Sequence, residues 1–594
     1  MNKLNELRKV MAENHIDIYY IPSTDFHSSE YVVSFFKARE YISNFTGSAG
    51  ELVISQNHAV LYTDGRYFIQ AEKELKDTGI ELYKMGLPEV PTLTNYLKSI
   101  IKKGDVIGFD GRVVNTIRGN EIQQLATDSE STIKYDIDLV NLLWDDRPDL
   151  PQGKAFLLDI KYSGETTEAK LSRLRNKMQE EDVSYHVLTT LDDIAWLYNI
   201  RGNDIPHFPV ILAYSIINID SAYLFTDRTK LSDEIIFILN KDNIKIKDYN
   251  EIYEFIKTIS GKVLLDPAKL NYRLASDLPI SAIKVEKASP IVLFKACKNE
   301  VELSNLRWAH AKDGVVLTKF MYWLKESVKN PSLTITELDA QQKLYELRSQ
   351  QDGFIEESFS TISAYGPNAA LMHYSTNPFN PAPLENKGLY LVDSGGQYFE
   401  GTTDITRTIA LGELDDILKT HFTAVLQGMI NLSMAKFLDG VRGINLDILA
   451  RSPIWNLDID YRSGTGHGVG YLLNVHEAPN GFRWKIVPER NDSCVLEVGM
   501  VTSNEPGIYI ENSHGIRIEN EIVVEKDVKN EYGQFLKFET LTYVPIDLDA
   551  IKIEMLSEKE KKWLNNYHQL TREKISKYLT DDEAKWMIKY TKAI

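Results

Sequence analysis

The sequence predicts a mixed α/β (α+β) protein built from several domains, and three observations carry that prediction. The 594 residues are too many for one core, and a soft prior of about 150 residues per domain gives three or four units. Helix-period and strand-like runs alternate through the first half of the chain. In the last third, apolar runs end in acidic residues set among glycines and threonines, in LVDSGGQYFEGTTDITRT, GTGHGVG, TSNEPG and GIRIENE.

The first stretch, 1–150, opens on a helix in which Leu4, Leu7, Val10 and Met11 recur at helical spacing among charges. After TGSAG, the runs ELVIS and AVLYT flank the polar turn Gln56-Asn57-His58 and predict a hairpin, with a helix following. RPDLPQGKAF, with its two prolines and a glycine, marks the first boundary. The second stretch, 151–298, repeats the mixed character: a helix over Thr166 to Glu181, the apolar strand YHVLTTL, then AYLFTD. The two stretches read as related units, although no residue-level repeat joins them. His207, between prolines in IPHFP, reads as structural. A third domain, 299–594, begins with a long amphipathic helix. There Leu303, Leu306, Ala309, Val315, Leu317, Phe320 and Leu324 fall near one stripe, and His310 reads as a surface or helix-packing residue. The tail, about 540–594, carries two capping boxes, Ser557 with Glu560 and Thr580 with Glu583. They precede aromatic faces (Trp563, Leu564, Tyr567; Trp586, Met587, Tyr590) that read as core or subunit contact.

Hydrophobic residues at 43% and charged residues at 26% suit a soluble globular chain. The balance of 67 basic against 85 acidic residues, −18, argues against nucleic acid or an anionic membrane as the main partner. No stretch reaches the roughly 18 apolar residues of a membrane helix, and the N-terminal segment lacks the uninterrupted apolar run of a secretory signal. The two cysteines, Cys297 and Cys494, cannot form a disulfide framework and read as buried small residues. The expectation is a soluble, cytoplasmic protein.

Five possible metal ligands stand in order across the last third: Asp393, Asp404, His467, Glu505 and Glu519. Four carboxylates and one imidazole suit a pair of hard divalent cations, with Mn²⁺ favoured over metals that prefer thiolate. Such a pair, about 3.5–4 Å apart, holds a hydroxide and polarises a carbonyl, as amide hydrolysis requires. An Asp at a strand end is ordinarily a cap or turn residue. Here the link GGQYFEG lets two strands pair and bring Asp393 and Asp404 to one site, with Thr402, Thr406 and Thr408 on the face of Asp404. Four glycines surround His467, more than a regular strand uses, and suggest close approach of the backbone to a ligand or substrate. In GIRIENEIVV, read as one strand, Arg517, Glu519 and Glu521 share a face, and Arg517 is placed to hold a ligating carboxylate.

Together, DSG, DITRT, GTGHGVG, NEPG and RIEN resemble the pita-bread metallopeptidases, and specifically the three-domain form of the aminopeptidase P (X-prolyl aminopeptidase) family. RPDLP, LDDIAWLYNIRG, SPIVLFKACKNEVE, AYGPNAALMHY, NVHEAPNG, FETLTYVPID and the tail WLNNYHQLTREKISKYL extend the resemblance over essentially the whole chain. It implies two creatinase-like N-terminal domains, a C-terminal catalytic domain, two metal ions (usually manganese) and a homodimer. By resemblance, Asp393 binds one metal, Asp404 and Glu519 bridge both, and His467 with Glu505 complete the shell of the second metal. A hydroxide between the metals attacks the carbonyl before proline, Glu505 shuttles the proton, and His373 and His476 donate to the substrate carbonyl or oxyanion.

One departure stands out: the family's histidine four residues before the metal-binding one is replaced here by Ser463 in YRSGTGHGVG. That histidine lines the substrate site without binding metal, so the metal set is intact while activity or substrate preference is expected to shift. Two rival readings share the motifs. A prolidase-type X-Pro dipeptidase has the same metal set on a shorter plan, and a non-catalytic peptide-binding relative would lack several of the ligands present here. Methionine aminopeptidases lack the two preceding domains.

Overall fold

The computed structural model describes residues 3–486 and 494–594. Its contacts divide the chain into two compact units, one formed by 1–157 and 165–291, the other by 158–164 and 292–594.

The first unit contains two six-stranded mixed sheets with one topology. Strands 81–84, 59–63, 51–55, 18–22, 106–108 and 132–134 lie side by side in the first, and 244–247, 222–226, 213–218, 185–188, 261–265 and 282–286 in the second. In both, the central three strands form an antiparallel set and the outer pairings are parallel. The relatedness suspected from the order of elements therefore holds for the topology. The central strands bury both faces, which is why they read as unbroken apolar runs. Tyr19, Ile21, Leu52, Ile54 and Leu61 enter one core, while Ile18, Tyr20, Val53, Val60 and Tyr62 enter the other, as the two-residue period of a strand dictates. The expected hairpin pairs Glu51–Ser55 with Ala59–Thr63, and the helix after it is Phe68–Glu74. The helix expected over 166–181 is Thr167–Glu180, capped by Thr166.

Two histidines of this unit, His27 and His186, are buried. His27 meets the Thr189 carbonyl through Nδ1 at 2.9 Å and the Tyr249 hydroxyl through Nε2 at 2.7 Å. His186 is held likewise by the Leu264 carbonyl and Ser289. Burial pushes each ring down from 6.5 to about 4. The unfolded chain therefore binds more protons than the folded one below pH 6.5, so stability is lost as pH falls from 6.5 towards 4. Each ring contributes on the order of 3 kcal/mol to that loss at the acid limit. Urea midpoints are expected to fall steeply between pH 7 and 5, and His27→Gln is expected to flatten the slope.

In the second unit, Asn299 closes a capping box at the start of helix Glu300–Ser327. The middle of this helix is buried all round, Lys312 and Asp313 included, so the single apolar stripe expected of it is a correction: neighbours cover every face. His310 is fully buried rather than at the surface, its Nε2 3.2 Å from Glu521 Oε2. Both tail capping boxes form. Trp586, Met587 and Tyr590 join Val316, Phe320 and Leu324 of the long helix in one core, which settles these aromatics as core. Tyr567 and Leu564 enter another with Phe422 and Val425 of helix Asp416–Ser433. Cys297 and Cys494, expected to be buried, are half-buried.

Two sheets carry the acidic motifs. One aligns Ile362–Tyr365, Leu389–Ser394 and Ile405–Ala410; the other, six-stranded, aligns 436–438, 533–540, 520–530, 501–504, 466–468 and 477–482. The run GIRIENEIVV is two strands, not one. His514–Arg517 pairs with Gly507–Ile510, Asn520–Asn530 joins the large sheet, and Glu519 falls in the break between them.

Candidate metal centre

Asp393 ends strand Leu389–Ser394, directly opposite Thr406 of strand Ile405–Ala410 in an antiparallel ladder. Asp404 immediately precedes that second strand, so the pairing expected from the short link brings both aspartates to one end of the sheet. Gly395 does more than turn the chain: a Cβ there would stand 1.8 Å from the Thr403 carbonyl. Thr406 also anchors Glu519, its carbonyl accepting the Glu519 N–H at 3.1 Å and its hydroxyl donating to Glu519 Oε2 at 2.8 Å.

His467 lies in the short strand Gly466–Gly468. Two of its neighbouring glycines are required by the sheet itself. A Cβ at Gly466 would stand 1.8 Å from the Ser503 carbonyl, and one at Gly468 2.2 Å from that of Glu477. The ring's Nδ1 faces the Gly468 carbonyl at 2.9 Å. A carbonyl only accepts, so Nδ1 carries the hydrogen and Nε2 presents its lone pair. That Nε2 lies 3.4 Å from Asp404 Oδ2 and 3.4 Å from Glu505 Oε1. Glu505 leaves the end of strand Val501–Asn504, its N–H bound to the Thr465 carbonyl and its Oε1 accepting from Ser503 at 3.2 Å.

Among the described residues, Asp404, His467 and Glu519 offer ligand atoms that all lie within 4.8 Å of one another. Asp393 and Glu505 complete the crowd: burial, then Asp393 and Glu505, raise Asp404 well above the usual carboxylate range, and burial, then Asp404 and Glu505, do the same for Glu519. Among the described residues, a guanidinium faces them. Arg517 bonds Asp393 Oδ2, Thr406 and the Tyr509 hydroxyl, and stands 4.0 Å from Glu505. The guanidinium thus holds the Asp393 carboxylate in place. Asp393 Oδ1 and Glu519 Oε1 are buried with no hydrogen-bond partner. Buried, mutually repelling carboxylates with orphaned oxygens and one bare imidazole nitrogen are a donor set that fits divalent cations.

His476 stands beside this cluster, its ring perpendicular to that of His467 with centroids 4.2 Å apart. His373 is exposed on the loop after the turn Gly366–Ala370. Ser463 is half-buried two residues before Thr465, its carbonyl accepting from Arg451.

Two supports escaped the sequence reading. Glu521 accepts the Asp404 N–H at 2.7 Å. Arg407 is fully buried and donates to the carbonyls of Thr406, Glu519, Val544 and Pro545, to Asn520 Oδ1 and to the Tyr567 hydroxyl. An arginine inside the apolar run ITRTIAL was the available signal, since a guanidinium is almost never fully buried without partners.

Residues 3–137 and 146–302 match the creatinase/prolidase N-terminal domain, 304–526 match metallopeptidase family M24, and 534–594 match the C-terminal region of that peptidase. Aminopeptidase P2 of Arabidopsis thaliana is 38% identical over 97% of this chain and 86% of its own length. A probable Xaa-Pro aminopeptidase P of Botryotinia fuckeliana is 39% identical over 98% and 90%. The crystal structure of X-prolyl aminopeptidase from Caenorhabditis elegans, described as a cytosolic enzyme with a di-nuclear active site, superposes with a TM-score of 0.93 at 33% identity, covering 100% of this chain and 99% of that one. An Xaa-Pro dipeptidase from Bacillus anthracis shares the fold over 64% of this chain, with a TM-score of 0.50 at 24% identity. Near-complete coverage in both directions by these relatives, joined to the carboxylate–histidine centre, means that the chain belongs to the aminopeptidase P family.

Proposed function

We propose that this protein is a metal-dependent X-Pro aminopeptidase, removing the N-terminal residue from peptides with proline in second position. The observation that carries the reading is the buried carboxylate crowd into which His467 turns a bare Nε2. Asp393, Asp404, His467, Glu505 and Glu519 would hold two divalent cations. The absence of thiolate from this set favours Mn²⁺. When bound, such a pair activates water and polarises the carbonyl to be attacked.

The remaining work falls to the chain. The proline nitrogen leaves as an amine and must gain a proton. Glu505, held by Ser503 and by its backbone, is the group we assign to carry it. His476 and His373 donate N–H bonds to the substrate oxygen as it gains charge. Arg517 fixes Asp393 from behind. A homodimer and a cytoplasmic setting belong to the same reading; the Caenorhabditis elegans relative is a cytosolic enzyme. No helix among the described residues is long and apolar enough to cross a membrane.

The test is incubation of the manganese-loaded protein with an X-Pro-Y tripeptide and an X-Pro dipeptide, with products read by mass spectrometry. Release of X from the tripeptide supports the proposal. Cleavage of the dipeptide alone moves the assignment to a prolidase, and cleavage of neither overturns it.

Ser463 adds a second expectation. A serine cannot carry positive charge near neutral pH, so Ser463→His is expected to raise kcat/KM for the tripeptide or alter its residue preference, by roughly tenfold where an oxyanion donor is gained. Unchanged turnover and range would make the substitution neutral.

A further inference from the structure

The loop that carries His373 has little apolar packing of its own. Leu371, His373, Ser375 and Asn377 to Asn380 are exposed, Phe379 almost completely so at 96%. Within this loop Tyr374 packs against a small cluster of Ile362, Ala364, Ala369 and Leu391, the last two residues before Asp393 in its strand. What ties the loop down is a carboxylate that the chemistry above does not use.

Glu337 is the first residue of helix Glu337–Ser349, where the helix dipole favours an anion, and it is fully buried. Its Oε1 accepts from the Tyr365 N–H at 2.7 Å and from Asn368 Nδ2 at 3.0 Å. Its Oε2 accepts from the Tyr374 hydroxyl at 2.8 Å and from Asn368 Nδ2 at 3.3 Å. Asn368 Nδ2 also reaches the Tyr374 oxygen at 3.0 Å. The backbone of Glu337 grips the same segment: its N–H donates to the Ala382 carbonyl at 3.0 Å, and its carbonyl accepts from Ser363 Oγ at 2.6 Å. One residue thus staples 363–382 at five positions, of which the fourth, Tyr374, adjoins His373.

We infer that Glu337 is a positioning residue of the peptidase reaction, fixing through Tyr374 and Asn368 the loop that presents His373 to the substrate. The inference rests on the role assigned to His373 above. Charge-assisted bonds to a buried carboxylate are stronger than neutral ones and hold a loop within the tolerance that catalysis needs. Glutamine in place of Glu337 keeps the volume but turns one acceptor into a donor facing Asn368 and Tyr374. Tyr374→Phe removes a single hydroxyl and leaves the ring packed.

The experiment uses the full-length, manganese-loaded protein and an X-Pro-Y tripeptide. It compares His373→Ala, Glu337→Gln, Tyr374→Phe and the two doubles that combine His373→Ala with each of the others, reading kcat and KM separately alongside bound metal. The expected result is that Glu337→Gln retains its metal and loses about tenfold in kcat/KM, with Tyr374→Phe losing less. In the His373→Ala background either change is expected to cost less than about twofold more, because the partner it positions is gone. Full additivity, or wild-type kinetics for Glu337→Gln and Tyr374→Phe while His373→Ala is impaired, overturns the inference. Wild-type kinetics for His373→Ala instead removes the role of His373 on which it rests. If Glu337→Gln does not fold, Tyr374→Phe and its double carry the same comparison.

Discussion

Asp404→Asn is expected to abolish turnover and, in the same protein, to raise the stability of the metal-free form. Its carboxylate lies within ligand distance of His467 and Glu519 and is crowded by Asp393 and Glu505. On the proposed ligand set, losing the Asp404 carboxylate removes several kcal/mol of charge stabilisation, which corresponds to at least ~10³-fold in kcat. Without metal, however, the wild-type site crowds buried carboxylates together, and either their repulsion or the protonation that relieves it costs stability. The neutral amide relieves that repulsion at nearly constant volume. Differential scanning fluorimetry in chelator is expected to show a higher midpoint for Asp404→Asn than for wild type, with the order reversed when manganese is added to both. A lower midpoint in chelator would mean that the cluster is not destabilising.

Arg407→Met is expected to destabilise the second unit by several kcal/mol and to weaken metal binding, although Arg407 touches no metal ligand side chain. The guanidinium satisfies four carbonyls, Asn520 and Tyr567, and burial lowers its own pKa. Each buried acceptor left unsatisfied costs about 1–3 kcal/mol. One of those carbonyls belongs to Glu519 and another to Thr406, so the loss falls on the two residues that set the spacing of the centre. Tyr567 and Val544 couple the same side chain to the tail, so the tail helix Glu558–Ile575 is expected to lose protection in hydrogen exchange together with the metal-bearing strands. Lysine cannot replace the fork of donors, and Arg407→Lys is expected to resemble Arg407→Met. A wild-type midpoint for Arg407→Lys would show that charge alone suffices.

The centre was largely legible because its chemistry is local. Strand-end aspartates, a histidine flanked by glycines and a glutamate before Pro-Gly are short-range patterns, and Arg517 beside Glu519 was readable from alternation even though the strand itself breaks between them. His310 and Arg407 were not legible in the same way. A histidine on a helix reads as a surface or helix-packing residue, and an arginine in a strand names no partners, until neighbours from distant segments enclose them. The glycines around His467 show the limit from the other side: the need for glycine was clear, but one cause, carbonyls of adjacent strands, lies 37 residues from Gly466 and 9 from Gly468.

By itself the sequence determined the alternation of helices and strands, the capped helices of the tail, the five residues proposed as ligands and, through its motifs, the family. Those features follow from periodicity, turn chemistry and donor type, which are properties of neighbouring residues. Only the tertiary structure decided that the two N-terminal sheets share a topology, that the tail aromatics are core, that His467 presents Nε2 rather than Nδ1, and that Glu337 holds the loop of His373. Each of these depends on which distant groups fill the space around a side chain, and hydrogen bonding and burial are fixed by that enclosure rather than by sequence spacing.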